Sequence, residues 1–218
     1  MLRPAGMTLH YWLGWNFFRL ISRLFFRCQI LHQDRIPPAG PLLLAANHAS
    51  FYDPFLVGSG AEREVYYLAR STAFWFPLGV MLRVMNAVPM DREGGGLAGM
   101  LKIIGILNQG QAITLFPEGT RSPDGQIHAA KAGVGLIVIK SRAPVMPVRI
   151  FGSYLAWNRH MRLPRPRRVT VKYGRLMDFA ALRAEAQTCS KDRLKAIYKE
   201  VADQIMAAIS AMQPGRDD

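Results

Sequence analysis

Cysteine is scarce in this 218-residue chain: Cys28 and Cys189 stand far apart, outside the paired Cys/His spacing of a zinc site and too few for a secreted disulfide scaffold. A reducing, cytoplasmic setting is therefore expected. Long apolar runs are also missing. The N-terminal charge-free stretch from Pro4 to Phe18 covers 15 residues, short of the roughly 17 to 25 that a spanning helix needs. No P-loop and no cluster of carboxylates is present, so the sequence indicates neither a metal nor a nucleotide redox cofactor. No repeat period or low-complexity tract appears either. Acidic residues are few, 15 against 28 basic ones, which leaves a net charge of +13. Half the residues are hydrophobic and a fifth are charged, a balance that excludes a disordered chain and suits a globular domain with a sizeable core.

The charge excess is uneven. Lys140 to Arg175 holds ten Lys or Arg and no Asp or Glu, a block that calls for solvent or an anionic partner: nucleic acid, an anionic membrane or a phosphate-bearing substrate. The N-terminus favours a membrane. Leu9 to Leu31 is rich in Trp and Phe (Trp12, Trp15, Phe17, Phe18, Phe25, Phe26), while Asn16, Arg19, Arg23 and Arg27 recur at helical spacing. This pattern predicts an amphipathic helix lying in the membrane interface, where Trp belongs at headgroup level. Arg19, Arg23 and Arg27 interrupt any signal-peptide core, and no small-residue cleavage site follows. An ordinary amphipathic helix docked on the domain is the alternative.

Pro37-Pro38-Ala39-Gly40 separates this N-terminal segment, residues 1–35, from a body of residues 36–218. In the body, short β-like runs (Leu42 to Ala46, Val65 to Leu68, Ala87 to Met90, Ala112 to Phe116, Val145 to Ile150, Val169 to Tyr173) alternate with helix-like ones (Pro54 to Gly58, Thr72 to Met85, Leu97 to Gln109, Lys131 to Ser141). The expected fold is α/β, a central mixed and largely buried sheet flanked by helices. A final helix from about Ser190 carries Leu194, Ile197, Tyr198, Val201, Ile205, Ala208, Ile209 and Met212 on one face and closes the domain.

Ligands in open α/β sheets gather at the loops beyond the carboxyl ends of strands. Three such loops carry reactive side chains. The first is Asn47-His48-Ala49-Ser50-Phe51-Tyr52-Asp53, which places a histidine and a carboxylate five residues apart after a buried run. Imidazole takes a proton near neutral pH, and a carboxylate on its other nitrogen fixes the tautomer. That pairing suits acyl or phosphoryl transfer to a hydroxyl. The second loop holds Asp91-Arg92-Glu93 and the third Phe116-Pro117-Glu118-Gly119-Thr120-Arg121-Ser122. Arg92 and Arg121 could therefore face the same pocket as His48. Singly, each residue also has a structural explanation: Asp53 before Pro54 can start a helix, and the two arginines can pair with Asp91 and Glu118. Ser50 has no Gly-x-Ser-x-Gly elbow to expose it as a nucleophile.

Together with Asn86-Ala87-Val88-Pro89-Met90-Asp91-Arg92 and Ala143-Pro144-Val145-Met146-Pro147-Val148, these loops form four ordered blocks. In them the chain resembles the glycerolipid acyltransferase family typified by bacterial 1-acylglycerol-3-phosphate acyltransferases. The resemblance runs from about Ile36 to Ile150, and residues 151–218 carry no motif. It implies His48 as general base and Asp53 as its orienter. Arg92 and Arg121 are then similar to the family's ligands for the acceptor phosphate, with Glu118 and Gly119 shaping that loop. The implied reaction moves a fatty acyl group from an acyl-thioester, acyl-CoA or acyl-ACP, to the sn-2 hydroxyl of lysophosphatidic acid, with no metal or cofactor beyond the co-substrate. The implied partners are a lysophospholipid acceptor, the acyl carrier and an anionic membrane surface, which the basic block would hold at about 1 kcal/mol per residue. The implied location is the cytoplasmic face of the cell membrane, peripheral or monotopic.

Two departures bear on the acceptor. Leu68-Ala69-Arg70 stands where the family usually has a lysine, and His128-Ala129-Ala130-Lys131-Ala132-Gly133 replaces its commoner Phe-Lys-x-Gly. Another lysolipid, a lyso-ornithine lipid or lysophospholipid, is the alternative acceptor. The stretch Phe74 to Leu82 fits an acyl-chain wall and a core helix equally. From a different class, a non-enzymatic nucleic-acid-binding protein would stack bases on Phe151, Tyr154, Trp157 and Tyr173 within the basic block.

Overall fold

A computed structural model describes residues 3–90 and 96–215. Seven strands form one sheet: β1 (Gln29–Leu31), β2 (Leu42–Ala46), β3 (Val65–Arg70), β4 (Ala87–Met90), β5 (Ala112–Leu115), β6 (Val145–Phe151) and β7 (Thr170–Tyr173), in the spatial order β1-β7-β6-β2-β5-β3-β4. Every neighbouring pair is parallel except β6 with β7. The sheet is therefore mixed, as expected. β2 lies at its centre, with Leu42, Leu44 and Ala46 in the core on one face and Leu43 and Ala45 in the core on the other. That is why its sequence is an unbroken apolar run rather than an alternating one. Pro89 is tolerated in β4 because β4 is an edge strand.

Helices cover both faces. On the first lie α1 (Leu9–Leu24) and α2 (Asp53–Ser59). On the second lie α4 (Leu97–Asn108), α5 (Gly133–Ser141) and the closing α8 (Lys191–Ala211), with α7 (Ala180–Thr188) beside α5 and α8. Ser190 caps α8, its hydroxyl accepting from the Arg193 amide, and Ile197, Val201, Ile205 and Ile209 are buried along the face that the periodicity marks. The expected helix over Thr72 to Met85 is shorter. A 3₁₀ turn, Ser71–Ala73, precedes α3 (Leu78–Val84), because Pro77 lacks an N–H and disfavours helical backbone at Phe76. A short α6 (Ser153–Trp157) follows β6.

The N-terminal helix departs from its expected span of Leu9 to Leu31. It ends at Leu24, the chain reverses at Arg27 with φ +44°, and Gln29–Leu31 pairs with β7 as an edge strand. α1 is bonded into the body at three levels. Tyr11 Oη accepts from the Val65 amide at 3.1 Å, Trp15 Nε1 donates to Gly58 O at 3.0 Å, and Tyr52 Oη donates to Phe18 O at 3.0 Å. The aromatic residues of α1 therefore divide: Tyr11, Trp15 and Phe18 face inward, while Leu9, Leu13, Phe17, Leu20 and Leu24 form an exposed apolar stripe on the opposite side. Among the described residues no helix is long and apolar enough to cross a membrane.

The topology places the functional loops. β2, β3, β5 and β6 run in one direction, so the segments after all four emerge at the same end of the sheet. Those segments begin with Asn47, Ser71, Phe116 and Gly152.

Candidate active site

The loop after β2 is pinned before it reaches His48. Asn47 Nδ2 donates to Ile150 O at 3.0 Å and its Oδ1 accepts from the Ile150 amide at 2.7 Å, a two-point clamp onto β6. The chain then folds around Asp53, which is completely buried. Its Oδ2 accepts from the amides of Ala49 and Ser50, both at 2.6 Å, and lies 3.0 Å from His48 Nδ1. A carboxylate that three groups converge on cannot swing, so the imidazole it meets has a fixed azimuth. The ring also stacks on Phe116 at 3.9 Å between centroids with 15° between planes. With Nδ1–H directed at Asp53, the lone pair of the neutral ring sits on Nε2. The side chain keeps 17% of its surface open to solvent. Ser50 is buried and its hydroxyl accepts from the Tyr52 amide, so it shapes the turn and is not exposed as a nucleophile.

The loop after β5 is bonded directly to this one, since the Ser122 amide donates to His48 O at 2.7 Å. Gly119 has φ +70°, and a β-carbon there would lie 2.9 Å from Lys131 Cδ and Cε. The positive φ favours glycine there, whereas the flexible end of Lys131 could move aside. Arg121 lays its guanidinium 3.5 Å above the Phe51 ring and leaves Nη1 buried without a partner. Burial, then the charges of Arg159 and Arg70, lowers its pKa, while Asp53 opposes the shift. The Ser122 and Asp124 side chains, with Asp124 accepting from the Gln126 amide and meeting His128 Nε2 at 2.8 Å, hold the loop's far side.

Glu118 is buried, with Oε1 accepting from the His128 amide at 3.4 Å and Oε2 unpartnered. Burial pushes its carboxyl up from 4.5 to about 7, against the pull of the His128 and His48 amides. The sign of the stability effect follows. The unfolded carboxyl ionises above 4.5 while the folded one holds its proton until about 7, so stability falls as pH rises through that window. Glu118→Gln is expected to remove this fall, giving a flatter melting-temperature profile between those pH values; a variant profile parallel to wild type contradicts it.

The structure thus brings together His48, Asp53, Glu118, Gly119 and Arg121. Arg92, expected beside them, lies outside the described residues together with Asp91. The basic block does not act as one surface. Lys172 is fully buried, donating to Gln213 O at 3.1 Å, and Arg149 donates to Ile209 O at 3.3 Å, so both serve the C-terminal end of α8. The proposed base-stacking residues are not a platform either: Tyr173 is fully buried with its hydroxyl donating to Val57 O, and Trp157 packs on Phe51. The sequence carries no signal for α6 at the site, where Tyr154 Oη donates to Pro123 O and Trp157 packs on Phe51.

A model of the family described as Acyltransferase matches residues 27–151. A coconut (Cocos nucifera) protein named 1-acyl-sn-glycerol-3-phosphate acyltransferase is 32% identical over 131 residues, 58% of this chain and 42% of that protein. One of the same name from Bacillus subtilis (strain 168) is 26% identical over 141 residues, 63% of this chain and 69% of the relative. The aligned region spans less than half the length of the coconut and Limnanthes alba relatives. The crystal structure of the 1-acyl-sn-glycerophosphate (LPA) acyltransferase PlsC from Thermotoga maritima superposes with a TM-score of 0.70 at 22% identity, covering 94% of this chain and 83% of that one. That likeness establishes the shared fold.

Proposed function

Because the chain belongs to the Acyltransferase family, whose model covers residues 27–151, we propose that it transfers a fatty acyl group from an acyl-thioester to the sn-2 hydroxyl of lysophosphatidate, forming phosphatidate. The observation that carries this reading is the 3.0 Å approach of His48 Nδ1 to the buried Asp53 carboxylate. His48 Nε2 draws the proton from the acceptor hydroxyl as that oxygen attacks the thioester carbonyl. The new C–O bond forms, the tetrahedral intermediate collapses, and the C–S bond breaks. The imidazolium returns its proton to the departing thiolate, so His48 ends the cycle neutral. Asp53 stabilises the imidazolium while it lasts and holds the ring orientation throughout. Arg121, with its unpartnered buried Nη1, binds the acceptor phosphate; a guanidinium stays charged when partly desolvated. The acyl carrier is coenzyme A or an acyl carrier protein.

An amphiphilic acceptor resides in a bilayer, and the exposed stripe on α1 supplies the contact. Leu13, Phe17 and Leu20 are each more than half exposed, as are Trp75 and Phe76, a concentration of apolar surface that water disfavours. The protein sits peripherally on the cytoplasmic face of the membrane, its stripe in the interface and its basic side chains over anionic headgroups. Since α1 also packs into the body, removing it would disturb the fold. The informative variant is Leu13→Ser with Phe17→Ser and Leu20→Ser, which is expected to abolish sedimentation with anionic vesicles and leave the melting temperature unchanged. Vesicle binding equal to wild type contradicts the interface assignment.

The test of the reaction is a panel of lysolipids in mixed vesicles with acyl-coenzyme A or acyl carrier protein, followed by thiol release. Release that depends on lysophosphatidate is the expected result. Release dependent instead on a lyso-ornithine lipid or a phosphodiester lysolipid replaces the acceptor, and no acceptor-dependent release overturns the acyltransferase reading.

A further inference from the structure

Phe51 stands between His48 and Asp53 in the first loop of the site. Its neighbours Ser50 and Tyr52 are buried, whereas its own ring is half-exposed at the rim. Arg121 lies over that ring, with the guanidinium carbon 3.5 Å from the ring centre. Among the described residues no ion pair or hydrogen bond fixes this guanidinium, and its buried Nη1 has no partner. The aromatic face is therefore what locates it. The ring is itself held. The Phe51 amide donates to Trp157 O at 3.4 Å, and the two rings lie 5.4 Å apart with 45° between planes. Trp157 ends α6, beyond the family match that stops at residue 151. α6 is fastened in turn to the loop that carries Arg121, where Tyr154 Oη donates to Pro123 O at 2.9 Å. The Ser122 amide, next in the chain to Arg121, donates to His48 O at 2.7 Å. Phe51, Arg121 and His48 thus belong to one bonded frame.

We propose that Phe51 is a positioning residue for the reaction: its ring holds the Arg121 guanidinium by a cation–π contact, so that the acceptor meets a donor already in place. This rests on the acyl-transfer reading above and on its assignment of Arg121 to the acceptor phosphate. An arginine side chain is long and rich in rotamers, and immobilising it at the moment of binding costs affinity. A carboxylate partner would immobilise it beforehand, but would occupy the same N–H groups that a phosphate needs. An aromatic ring restrains the guanidinium from its flat side and leaves the in-plane donors for an anion. Arg121 Nη1 is such a donor. A leucine can fill much of the space of the ring, yet it has no quadrupole to hold the charge.

The experiment measures equilibrium binding of short-chain lysophosphatidate without acyl donor, alongside steady-state kinetics. The proteins are wild type, Phe51→Leu, Phe51→Tyr, Arg121→Gln and the double variant Phe51→Leu with Arg121→Gln. Phe51→Leu is expected to weaken binding about fivefold, as loss of a cation–π contact at a partly buried site does. The KM for lysophosphatidate should rise by a similar factor, with kcat within about twofold of wild type. Phe51→Tyr keeps the ring and should bind within about twofold of wild type. Once Arg121 is replaced, Phe51→Leu should cost no further affinity, because the contact is already gone. Losses that add in the double variant, a Phe51→Tyr variant as weak as Phe51→Leu, or a Phe51→Leu variant that binds like wild type overturns the proposal. A wild type that binds lysophosphatidate with this coupling but transfers no acyl group would instead overturn the reaction and leave the placement of Arg121 standing. A wild type that does not bind it overturns both.

Discussion

His48→Ala is expected to lower acyl transfer about 10³-fold, the middle of the range for a positioned general base, with little change in stability. The two halves of that expectation come from different observations. The rate loss follows from Nε2 being the proton acceptor that the Asp53 contact leaves available. The small stability change follows from what His48 contributes to the fold, a partly exposed ring stacked on Phe116; its backbone, which accepts from Ser122 and ties the two loops, is unaffected by side-chain truncation. Thiol release with lysophosphatidate in vesicles measures the first and thermal melting the second. A variant that retains a tenth or more of wild-type turnover assigns the proton to another group.

The second large effect belongs to Asp53, and it divides by substitution. Asp53→Ala removes the acceptor for the Ala49 and Ser50 amides at a fully buried position, leaving two donors unsatisfied at about 1–3 kcal/mol each. A drop in stability of about 3 kcal/mol is expected, along with loss of activity. Asp53→Asn, with its amide oxygen in the place of Oδ2, keeps an acceptor for those two amides and for His48 Nδ1 but removes the negative charge. The ring keeps its tautomer and orientation, while the imidazolium loses the countercharge that stabilises it. Stability within about 1 kcal/mol of wild type, with turnover reduced but by less than in His48→Ala, is the expected outcome. An Asp53→Asn variant with wild-type turnover would leave the carboxylate charge without a part in the reaction.

How far the sequence carried the reading is clearest at particular residues. β2 and β4 are found at the boundaries read from their apolar runs, Leu42 to Ala46 and Ala87 to Met90, since both are bounded by strong turn or loop signals. The sequence pattern merges β1 with the preceding helix. Gln29–Leu31 is only three residues long, and Arg27 extends the helical spacing of Arg19 and Arg23, so periodicity had nothing to stop it. α7 carries no buried residue and hence no apolar period to detect. The rich aromatic content of α1 favours a membrane face, with docking on the domain as the alternative. Its helix in fact has two apolar sides, because Tyr11, Trp15 and Phe18 answer to the core and Leu13, Phe17 and Leu20 to the outside.

In the site, His48, Asp53, Glu118, Gly119 and Arg121 were legible because each lies in a compact block beside a strand end. The anchoring of Tyr154 and Trp157 to the loops after β5 and β2 was not, because it depends on the parallel arrangement of β2, β5 and β6, a relation between distant segments that no local pattern expresses.

Direct transfer from thioester to lipid is tested most plainly by mass spectrometry of a single turnover, with protein in excess over an acyl-thioester and with lysophosphatidate in vesicles. Phosphatidate should appear in a one-to-one ratio with released thiol, with no acylated protein at any time point. An acylated protein that precedes phosphatidate, or free fatty acid in place of it, would contradict His48 acting as a base on the lipid hydroxyl.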